Sequence, residues 1–273
     1  MRYNVIIIAA LVILTAISCI KEDRSGCPCH LHVDLSRVDS NYVHSMSLMM
    51  DRNGGNLAEW IPVDKSIFGD TLIIAVDKAE FDFCAWGNLS HSIIDNKGRI
   101  ISPGDFPDSL WSDYRRISTK CEDVYLSVQP ERQFIPVTII VRGMIAAVSE
   151  LRPEIDNISE QFHFSGSATG ASNAILPTLV GTPAPGREYY LFKTLLMTQP
   201  SATEATLNLG FVSAGHSYRS TFPLGQMLLE KGEDLSLSGR NPVILDLTIG
   251  SANIFIKITV DDWTTLGVFE INY

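Results

Sequence analysis

The residues of this sequence best suited to chemistry are five cysteines, four of which follow the first twenty positions. These four are Cys27, Cys29, Cys84 and Cys121. In an oxidising compartment an even number of thiols predicts disulfides, and four thiols allow three pairings, among which the sequence does not choose. Cys27 with Cys29 would close an unusually tight ring. Cys84 lies in an apolar, strand-like run, where a free buried thiol is an equal alternative.

The segment Cys27–His32, which reads CPCHLH, also raises the question of a metal site, since thiolates and imidazoles are zinc ligands. Zinc sites built from separated pairs usually place two or more residues between the members of each pair, and no second pair follows at a suitable distance. In an extended chain, moreover, Cys29 and Leu31 face one way while His30 and His32 face the other. We therefore expect no metal site.

Motifs that carry catalysis are missing from the sequence. No G-x-S-x-G nucleophile pattern occurs, because residues 166–170 place Ala168 where the serine would stand. The glycine patterns that bind nucleotide phosphates or dinucleotides are missing as well. The sequence thus predicts no catalytic residues, no cofactor and no enzymatic activity.

The N-terminus has the layout of an export signal. Arg2 precedes an apolar run over residues 5–17, which is shorter than the roughly 20 residues of a membrane-spanning helix. Residues 14–19, LTAISC, resemble the lipobox of bacterial lipoproteins, although Ala16 stands where leucine is more common. We predict a signal peptide at 1–18, an acyl group such as palmitate on Cys19, and a tether at 19–26. An ordinary secretory peptide with a chance cysteine is the alternative.

The residues directly after Cys19 indicate where the exported protein is expected to reside. Residues 20–24, IKEDR, resemble the lysine followed by two acidic residues that sends lipoproteins to the outer face of the outer membrane in Bacteroidetes. The motif predicts a lipid-anchored protein that faces outside the cell. A solvated linker is the alternative.

Composition excludes one class of partner. The 273 residues include 21 Lys and Arg against 31 Asp and Glu, a formal charge of -10. A chain this acidic offers no basic surface for phosphate backbones, so we expect no nucleic-acid binding. Hydrophobic residues make up 45% and charged residues 19%, which is enough apolar content for a folded core.

Apolar residues alternate at period two through most of the chain and predict half-buried strands. Pro136 lacks a ladder donor, so its strand should start there or lie on an edge. Residues 77–80 are predicted to be a turn between two adjacent strands, and 250–253 a hairpin connection. Only 144–151 and 223–231 are candidates for short helices. The predicted strands are 31–35, 46–50, 71–76, 81–86, 124–128, 135–141, 162–164, 190–197, 207–211, 217–222, 243–249 and 254–260.

This spacing of strands and polar turns predicts an all-β protein of antiparallel sandwiches. A boundary near residues 129–133 divides the chain into an N-terminal β-sandwich at 27–131 and a C-terminal one at 132–273. Trp60, Trp86, Trp111 and Trp263 could serve as sugar-stacking platforms, but aromatics at strand ends more often plug cores.

Three segments resemble the FimB-type minor-subunit and anchor lipoproteins of Bacteroidales fimbriae. They are residues 19–28 (CIKEDRSGCP), residues 81–89 (FDFCAWGNL) and a strand that ends at 260–263 with VDDW. The resemblance implies two transthyretin-like (Greek-key) β-sandwich domains, an outer-membrane lipid anchor and a structural role in fixing or terminating a fimbria. It implies no catalytic residues.

Fimbrial subunits are the expected partners, through addition of an extended strand to an open sheet. In the C-terminal segment 266–273, Phe269, Ile271 and Tyr273 share one face of an extended chain and are candidates for a donated strand. The alternative is that this segment is the last strand of the chain's own sheet. The alternative function is a surface glycan-binding lipoprotein of a polysaccharide-uptake system, which exposed rings at Trp86 and Trp263 would favour.

Overall fold

The computed structural model describes residues 26–52, 57–89, 93–94, 99–101, 109–143, 148–158, 161–163, 168–169, 173–185, 188–197, 204–230, 242–250, 253–260 and 263–270. Nearly all of its regular structure is β-strand, which confirms the predicted all-β class. None of the helices in these ranges has the length and apolar character needed to cross a bilayer.

The strands between residues 29 and 132 form two sheets. In the three-stranded sheet, β1 lies between β4, to which it is antiparallel, and β9, to which it is parallel. The five-stranded sheet has the order β10-β8-β5-β2-β3 and is antiparallel throughout. The elements are β1 (Cys29–Asp34), β2 (Met46–Asp51), β3 (Leu57–Val63), a 3₁₀ helix (Lys65–Ile67), β4 (Thr71–Val76), β5 (Glu80–Gly87), β8 (Trp111–Ser118), β9 (Asp123–Ser127) and β10 (Glu131–Arg132).

The strands after residue 133 form a six-stranded and a four-stranded sheet. The six-stranded sheet has the order β16-β17-β11-β20-β21-β22, and the four-stranded sheet has the order β15-β12-β18-β19. These elements are β11 (Phe134–Gly143), β12 (Val148–Ile158), β15 (Asn173–Ile175), β16 (Thr178–Gly181), β17 (Tyr190–Met197), β18 (Thr206–Ser213), β19 (His216–Phe222), α1 (Leu224–Leu229), β20 (Val243–Ile249), β21 (Asn253–Val260) and β22 (Trp263–Glu270).

A small fifth sheet contains strands from both halves of the chain. Its order is β14-β13-β7-β6, and β7 pairs with β13 in antiparallel register from Gln161↔Ile101 to His163↔Arg99. The two halves are therefore joined by backbone pairing as well as by the chain itself. The four strands are β6 (Ile93–Ile94), β7 (Arg99–Ile101), β13 (Gln161–His163) and β14 (Ala168–Thr169).

Two large hydrophobic cores fill the space between the sheets. One is built from buried side chains between Cys29 and Val128, and the other from side chains between Ile135 and Ile256. Burial of each large apolar side chain contributes roughly 1.5–3 kcal/mol. The predicted division into domains at 27–131 and 132–273 stays a prediction, and the separate cores support it.

A third, smaller cluster lies where the two halves meet. Met49, Cys84, Trp86 and Leu110 pack there with Met197 from the other half. Along β5, alternate residues therefore face different clusters: Phe83 faces the N-terminal core and Cys84 faces this junction. Since side chains alternate across a strand, the apolar run at 81–86 is explained by burial of the sheet on both faces.

Several local predictions are confirmed and others are wrong. The strand at 71–76 is confirmed. The strands on either side of the predicted hairpin connection at 250–253 pair in antiparallel register as far as Ile249↔Ile254. The strands on either side of residues 77–80 do not pair with each other, because β4 lies in the three-stranded sheet and β5 in the five-stranded one. The predicted helix at 223–231 corresponds to α1, whereas residues 148–151 of the other predicted helix lie in strand β12.

Pro136 does not begin a strand or lie in an edge strand. It is the third residue of β11, a central strand, and it pairs with Leu195 of β17. Pairing of β11 with β20 begins only at Val137. The missing N–H is tolerated because Pro136 has a neighbouring strand on one side only.

Candidate functional site

Three of the four cysteines in the described ranges lie near one end of the three-stranded sheet. Cys29 begins β1 and is buried in the N-terminal core, whereas Cys27 and Cys121 are exposed. Burial raises the pKa of the Cys29 thiol, and the nearby Asp123 and Cys121 groups raise it further. No disulfide joins the described cysteines. The predicted disulfide involvement of these residues stays a prediction.

Cys84 belongs to a different environment. Its side chain is fully buried in the junction cluster, and this burial raises the pKa of the thiol well above its usual value, with a smaller contribution from the Asp113 carboxylate. A thiol of this kind reacts slowly, because the thiolate is the reactive form. The geometry favours the alternative of a buried core thiol for Cys84 over a disulfide.

The histidines of the CPCHLH segment meet one carboxylate on the outer face of the same sheet. His32 Nε2 lies 2.9 Å from Asp123 Oδ1, and His30 Nδ1 lies 4.0 Å from the same oxygen. In β1 the side chains of Cys29 and Leu31 point inward and those of His30 and His32 point outward, as the alternation predicted. Among the described residues, no three His, Cys, Asp or Glu side chains come together as metal ligands would.

An aromatic side chain adjoins this polar group. The ring of Tyr125 on β9 stacks on His32 with a centroid separation of 4.4 Å, and it is 76% exposed. On the other side of β1, Ile73 of β4 is in register with His32 and is also exposed. The outer face of the sheet thus presents a row of Ile73, His32 and Tyr125.

The six-stranded sheet ends in two edge strands, which are the places where a further strand could add. At one edge, β16 pairs only with β17 among the described strands, and a register shift falls between Leu179 and Gly181. Leu179 and Val180 are 47% and 49% exposed. Val180 is the extra residue at that shift, and Leu179 is in register with Phe192 of β17, so the two exposed aliphatic side chains lie at a bulge of the edge. Exposed apolar edges of this kind are templates for pairing with another chain.

A cleft of about 1150 Å³ opens beside the end of β16. Its walls include Arg142, Thr182, Pro183 and Tyr189. Arg142 is already engaged, since its Nε donates to Asp246 Oδ1 at 2.8 Å and its guanidinium lies 5.8 Å from the Tyr189 ring centroid. Glu188 also lines the cleft, so it presents charged groups as well as proline and tyrosine side chains beside this edge.

At the opposite edge, β22 contains one of the three predicted donor residues. Phe269 pairs with Ile254 of β21, inside the chain's own sheet. Ile271 and Tyr273 lie outside the described residues. The placement of Phe269 agrees with the alternative of a last internal strand, and the donor role stays a prediction. Cys19 also lies outside the described residues.

The tryptophans do not form an open platform in the part of the chain where their side chains are described. Trp86 is fully buried in the junction cluster, and Trp60 is partly buried against it. Trp111 packs on the N-terminal core and lies edge-on to Phe134. For Trp263 only the backbone position in β22 is described.

Comparison with solved structures identifies this architecture. The chain superimposes on the fimbrial anchor protein Mfa2 from Porphyromonas gingivalis with a TM-score of 0.63 and 14% identity, over 87% of this chain and 99% of that one. This chain and Mfa2 share one fold. No family model matches the sequence, and no curated protein matches it either.

Two further solved structures share the fold. A candidate adhesin from Bacteroides ovatus has a TM-score of 0.62 and 12% identity, over 88% of this chain and 95% of that one. A candidate polysaccharide-binding protein from Bacteroides thetaiotaomicron has a TM-score of 0.61 and 11% identity, over 87% and 97%. The resemblance to FimB-type anchor proteins, found in three short segments, is thus confirmed at the level of the fold.

Asp113, which holds the segment around Gln129 that connects the two halves, was not predicted from the sequence. The buried Asp113 carboxylate receives two hydrogen bonds from Arg115, at 2.9 and 2.7 Å, and one from the Gln129 backbone N–H at 2.7 Å. Asp113 lies in β8, a strand that was not predicted because its polar residues hide the alternation. No local signal in the sequence links Asp113 to Gln129.

Proposed function

We propose that this chain is a lipid-anchored, non-enzymatic subunit of a surface fimbria, which holds the neighbouring subunit by strand addition at the β16 edge. The observation that carries the proposal is the pair of exposed apolar residues on a sheet edge, Leu179 and Val180, in a chain with the fold of a fimbrial anchor protein. Backbone hydrogen bonds would supply affinity at such an edge, and alternate side chains would supply specificity.

The decisive experiment changes the β16 edge without changing the core. In the full chain, Leu179→Lys combined with Val180→Lys puts two charges on the edge. Charges on an edge strand are a device by which natural sheets prevent pairing. We expect at least about a tenfold loss of fimbrial subunits that co-purify from native outer membranes, because each lost decade corresponds to only about 1.4 kcal/mol of binding free energy.

Two matched controls separate the edge from general surface hydrophobicity. Ile244→Lys changes an exposed apolar residue of β20, a central strand of the same sheet, and Ile73→Lys changes one on β4, an edge of another sheet. Both variants should capture subunits like the unaltered protein. Equal loss in Ile73→Lys would move the acceptor edge to β4. Full capture by the double variant would contradict strand addition at β16.

Membrane attachment is the second part of the proposal. Acylation of Cys19 would hold the chain in the outer membrane, facing outside, because more than one acyl chain makes detachment slow. Cys19→Ser should move the protein from the membrane fraction to the soluble envelope fraction and abolish incorporation of labelled palmitate. Membrane retention of this variant would contradict lipid anchoring.

The donor role of the C-terminal segment is tested by deletion of residues 266–273. If Phe269, Ile271 and Tyr273 are donated to another subunit, the shortened protein should fold and no longer deliver a strand to its partner. Loss of folding would instead support the internal pairing of β22 with β21.

A second candidate function, glycan binding at the cell surface, is favoured by one observation. Tyr125 is exposed, stacked on His32 and close to the Asp123 carboxylate, a combination of aromatic face and polar groups that can hold a sugar ring. Isothermal titration with polysaccharide would test it, with Tyr125→Ala as the variant that should lose the signal. The buried Trp86 does not contribute to such a site.

A further inference from the structure

The cleft beside β16 has no part in strand addition, which uses the backbone edge and the side chains of that strand. Its volume is about 1150 Å³, and its walls come from the end of β11, the start of β12 and the segment that connects β16 with β17. Pockets that bind small molecules usually measure about 300–1,000 Å³. This cleft is therefore large enough for a ligand of several rings.

Arg142 presents a hydrogen-bonding edge to the cleft in a fixed orientation. Its Nε donates to Asp246 Oδ1 at 2.8 Å, and its Nη2 lies 2.8 Å from Oδ2 of the same carboxylate. A guanidinium group carries five N–H groups in a planar fork, and this pairing along one side of the fork uses two of them. The outer end of the fork points away from Asp246. Because Arg142 lines the cleft, the N–H groups at that end can donate to a ligand there.

An aromatic ring is held beside this arginine. The centroid of the Tyr189 ring lies 5.8 Å from the guanidinium carbon of Arg142, so the cation packs on one face of the ring. The neighbouring Tyr190 also lines the cleft and packs against the C-terminal core. Pro183 contributes a wall whose backbone φ is restricted by the proline ring. Groups that are held in place before binding lose little conformational freedom when a ligand arrives.

The charges around the cleft indicate the class of ligand. Asp246 neutralises Arg142, Glu188 adds a carboxylate to the described walls, and the whole chain has a formal charge of -10, so an anion would be repelled. A purely apolar ligand would remove water from Arg142 and Glu188 without replacing their hydrogen bonds. A neutral ligand with many hydroxyl groups satisfies both side chains, because a hydroxyl can accept from the guanidinium group and donate to the carboxylate.

We propose that this cleft binds a neutral oligosaccharide. The apolar face of a sugar ring would pack on a tyrosine ring of the cleft, while its hydroxyl groups accept from Arg142 and donate to Glu188. The site lies in the C-terminal half, whereas Tyr125 lies on the three-stranded sheet of the N-terminal half. The inference goes beyond strand addition and does not depend on it.

Isothermal titration of the purified full chain tests the class of ligand. The neutral probes are oligosaccharides of mannose, xylose and glucose, and oligogalacturonate is the anionic counterpart. We expect binding of at least one neutral probe and at least about tenfold weaker binding of oligogalacturonate. Binding of oligogalacturonate as tight as that of the neutral probes would overturn the assignment of the ligand. The absence of binding by every neutral probe at millimolar concentration would overturn the site.

Substitutions in the cleft test the location. Tyr189→Ala removes a ring, and Glu188→Gln removes a charge from an exposed side chain with little change of shape. Each should weaken binding of the neutral probe at least about tenfold without lowering the unfolding temperature, and Glu188→Gln remains informative if Tyr189→Ala does not fold. Tyr125→Ala is the control and should bind like the unaltered chain. Loss of binding in Tyr125→Ala alone would overturn the inference and support the site on the three-stranded sheet.

The double variant Leu179→Lys with Val180→Lys separates this cleft from the β16 edge. Neither side chain lines the cleft in the described part of the chain, so the double variant should keep sugar binding while it loses fimbrial subunits. Sugar binding together with unaltered capture of subunits would support the inference and contradict the proposed function. Loss of subunits in the double variant, when the unaltered chain binds no neutral probe, would overturn the inference and leave the proposed function in place.

Discussion

Two edge strands, one in each half of the chain, expose aliphatic side chains in different ways. On β4, Ile73 is exposed, but Leu72 and Ile74 pack on the N-terminal core, and all six residues are in unbroken register with β1. On β16, Leu179 and Val180 are exposed one after the other, and the register with β17 is interrupted. One edge is held by its own core, whereas the other exposes two adjacent aliphatic side chains at a bulge.

This difference shows that an exposed aliphatic side chain on an edge strand is not sufficient for the addition of another strand. On β4 the alternate side chains Leu72 and Ile74 are held by the core, so this edge offers a partner fewer side chains than β16 does. An edge strand with adjacent exposed aliphatic side chains offers backbone groups and side chains together, which is what an added strand requires. Each edge belongs to a half with its own core.

The largest expected effect comes from truncating one buried aromatic side chain in each core separately. Phe83 and Phe222 are both fully buried, one in each core, and replacement of a buried Phe by Ala costs about 3–5 kcal/mol. Phe83→Ala should lower the unfolding temperature of the N-terminal half, and Phe222→Ala that of the C-terminal half, in two resolvable calorimetric transitions. A single transition shifted equally by both variants would contradict the boundary at 131–132.

A smaller loss of stability is expected from a substitution in the six-stranded sheet, which contains β16. Gly143 ends β11 with a φ of +98°, and a Cβ built there would clash with the Ile249 carbonyl oxygen. Gly143→Ala should therefore cost at least about 2 kcal/mol in denaturant unfolding, through backbone strain and this contact. Gly215→Ala is the control, since Gly215 also has a positive φ but has open space around it. Equal losses in the two variants would show that the contact with Ile249 relaxes freely.

Between the halves, Asp113→Asn should cost about 1.5–3 kcal/mol, the range for hydrogen bonds to charged groups. Arg115 Nη2 and the Gln129 N–H both donate to Oδ2, and Arg115 Nε donates to Oδ1, so an amide, which has one acceptor end only, loses the bonds at one of these two positions. Amide exchange of Gln129 should quicken by at least about tenfold. Asp82→Asn, which alters an exposed bond from Tyr114, should leave that exchange rate unchanged. Unaltered protection of Gln129 in the Asp113 variant would show that the segment is held by other contacts.

The smallest expected effect concerns the stability of the N-terminal half at acidic pH. Hydrogen bonds from Lys120 and then Ser118 lower the pKa of Glu80, so its carboxylate is favoured in the folded state. The associated stability is present above the usual carboxyl pKa of about 4.3 and is lost as the pH falls through the lowered value. Lys120→Gln should raise the pKa of Glu80 in an NMR titration, whereas Lys65→Gln should not. An unchanged titration of Glu80 in the Lys120 variant would refute the role of the ammonium group.

Residues 71–76 and 243–260 show what could be read from the sequence. Their alternation of apolar and polar residues predicted the strands and the hairpin, because each strand buries one face. Strand β12 was missed because Glu150 and Asn157 adopt positive φ and shift its register, which interrupts the alternation. Strand β8 was missed because Asp113, Arg115 and Arg116 occupy it.

The site depended still more on long-range contacts. Cys27, Cys29 and Cys121 were named from the sequence, but only the parallel pairing of β1 with β9 brings them to one place. His32 and Asp123 are 91 positions apart. The β16 edge was not predicted, since Thr178–Gly181 is a short strand whose importance lies in its position at the end of a sheet.

The central position of β1 has a mechanical consequence. A pull on the residues before Cys29 draws β1 lengthwise between its two neighbours, so the bonds to both are loaded in shear and must fail together. A strand pulled sideways from the edge of a sheet would lose its hydrogen bonds one at a time, under a much weaker force. The N-terminal strand of the described chain is thus built into the sheet in the orientation that best withstands tension.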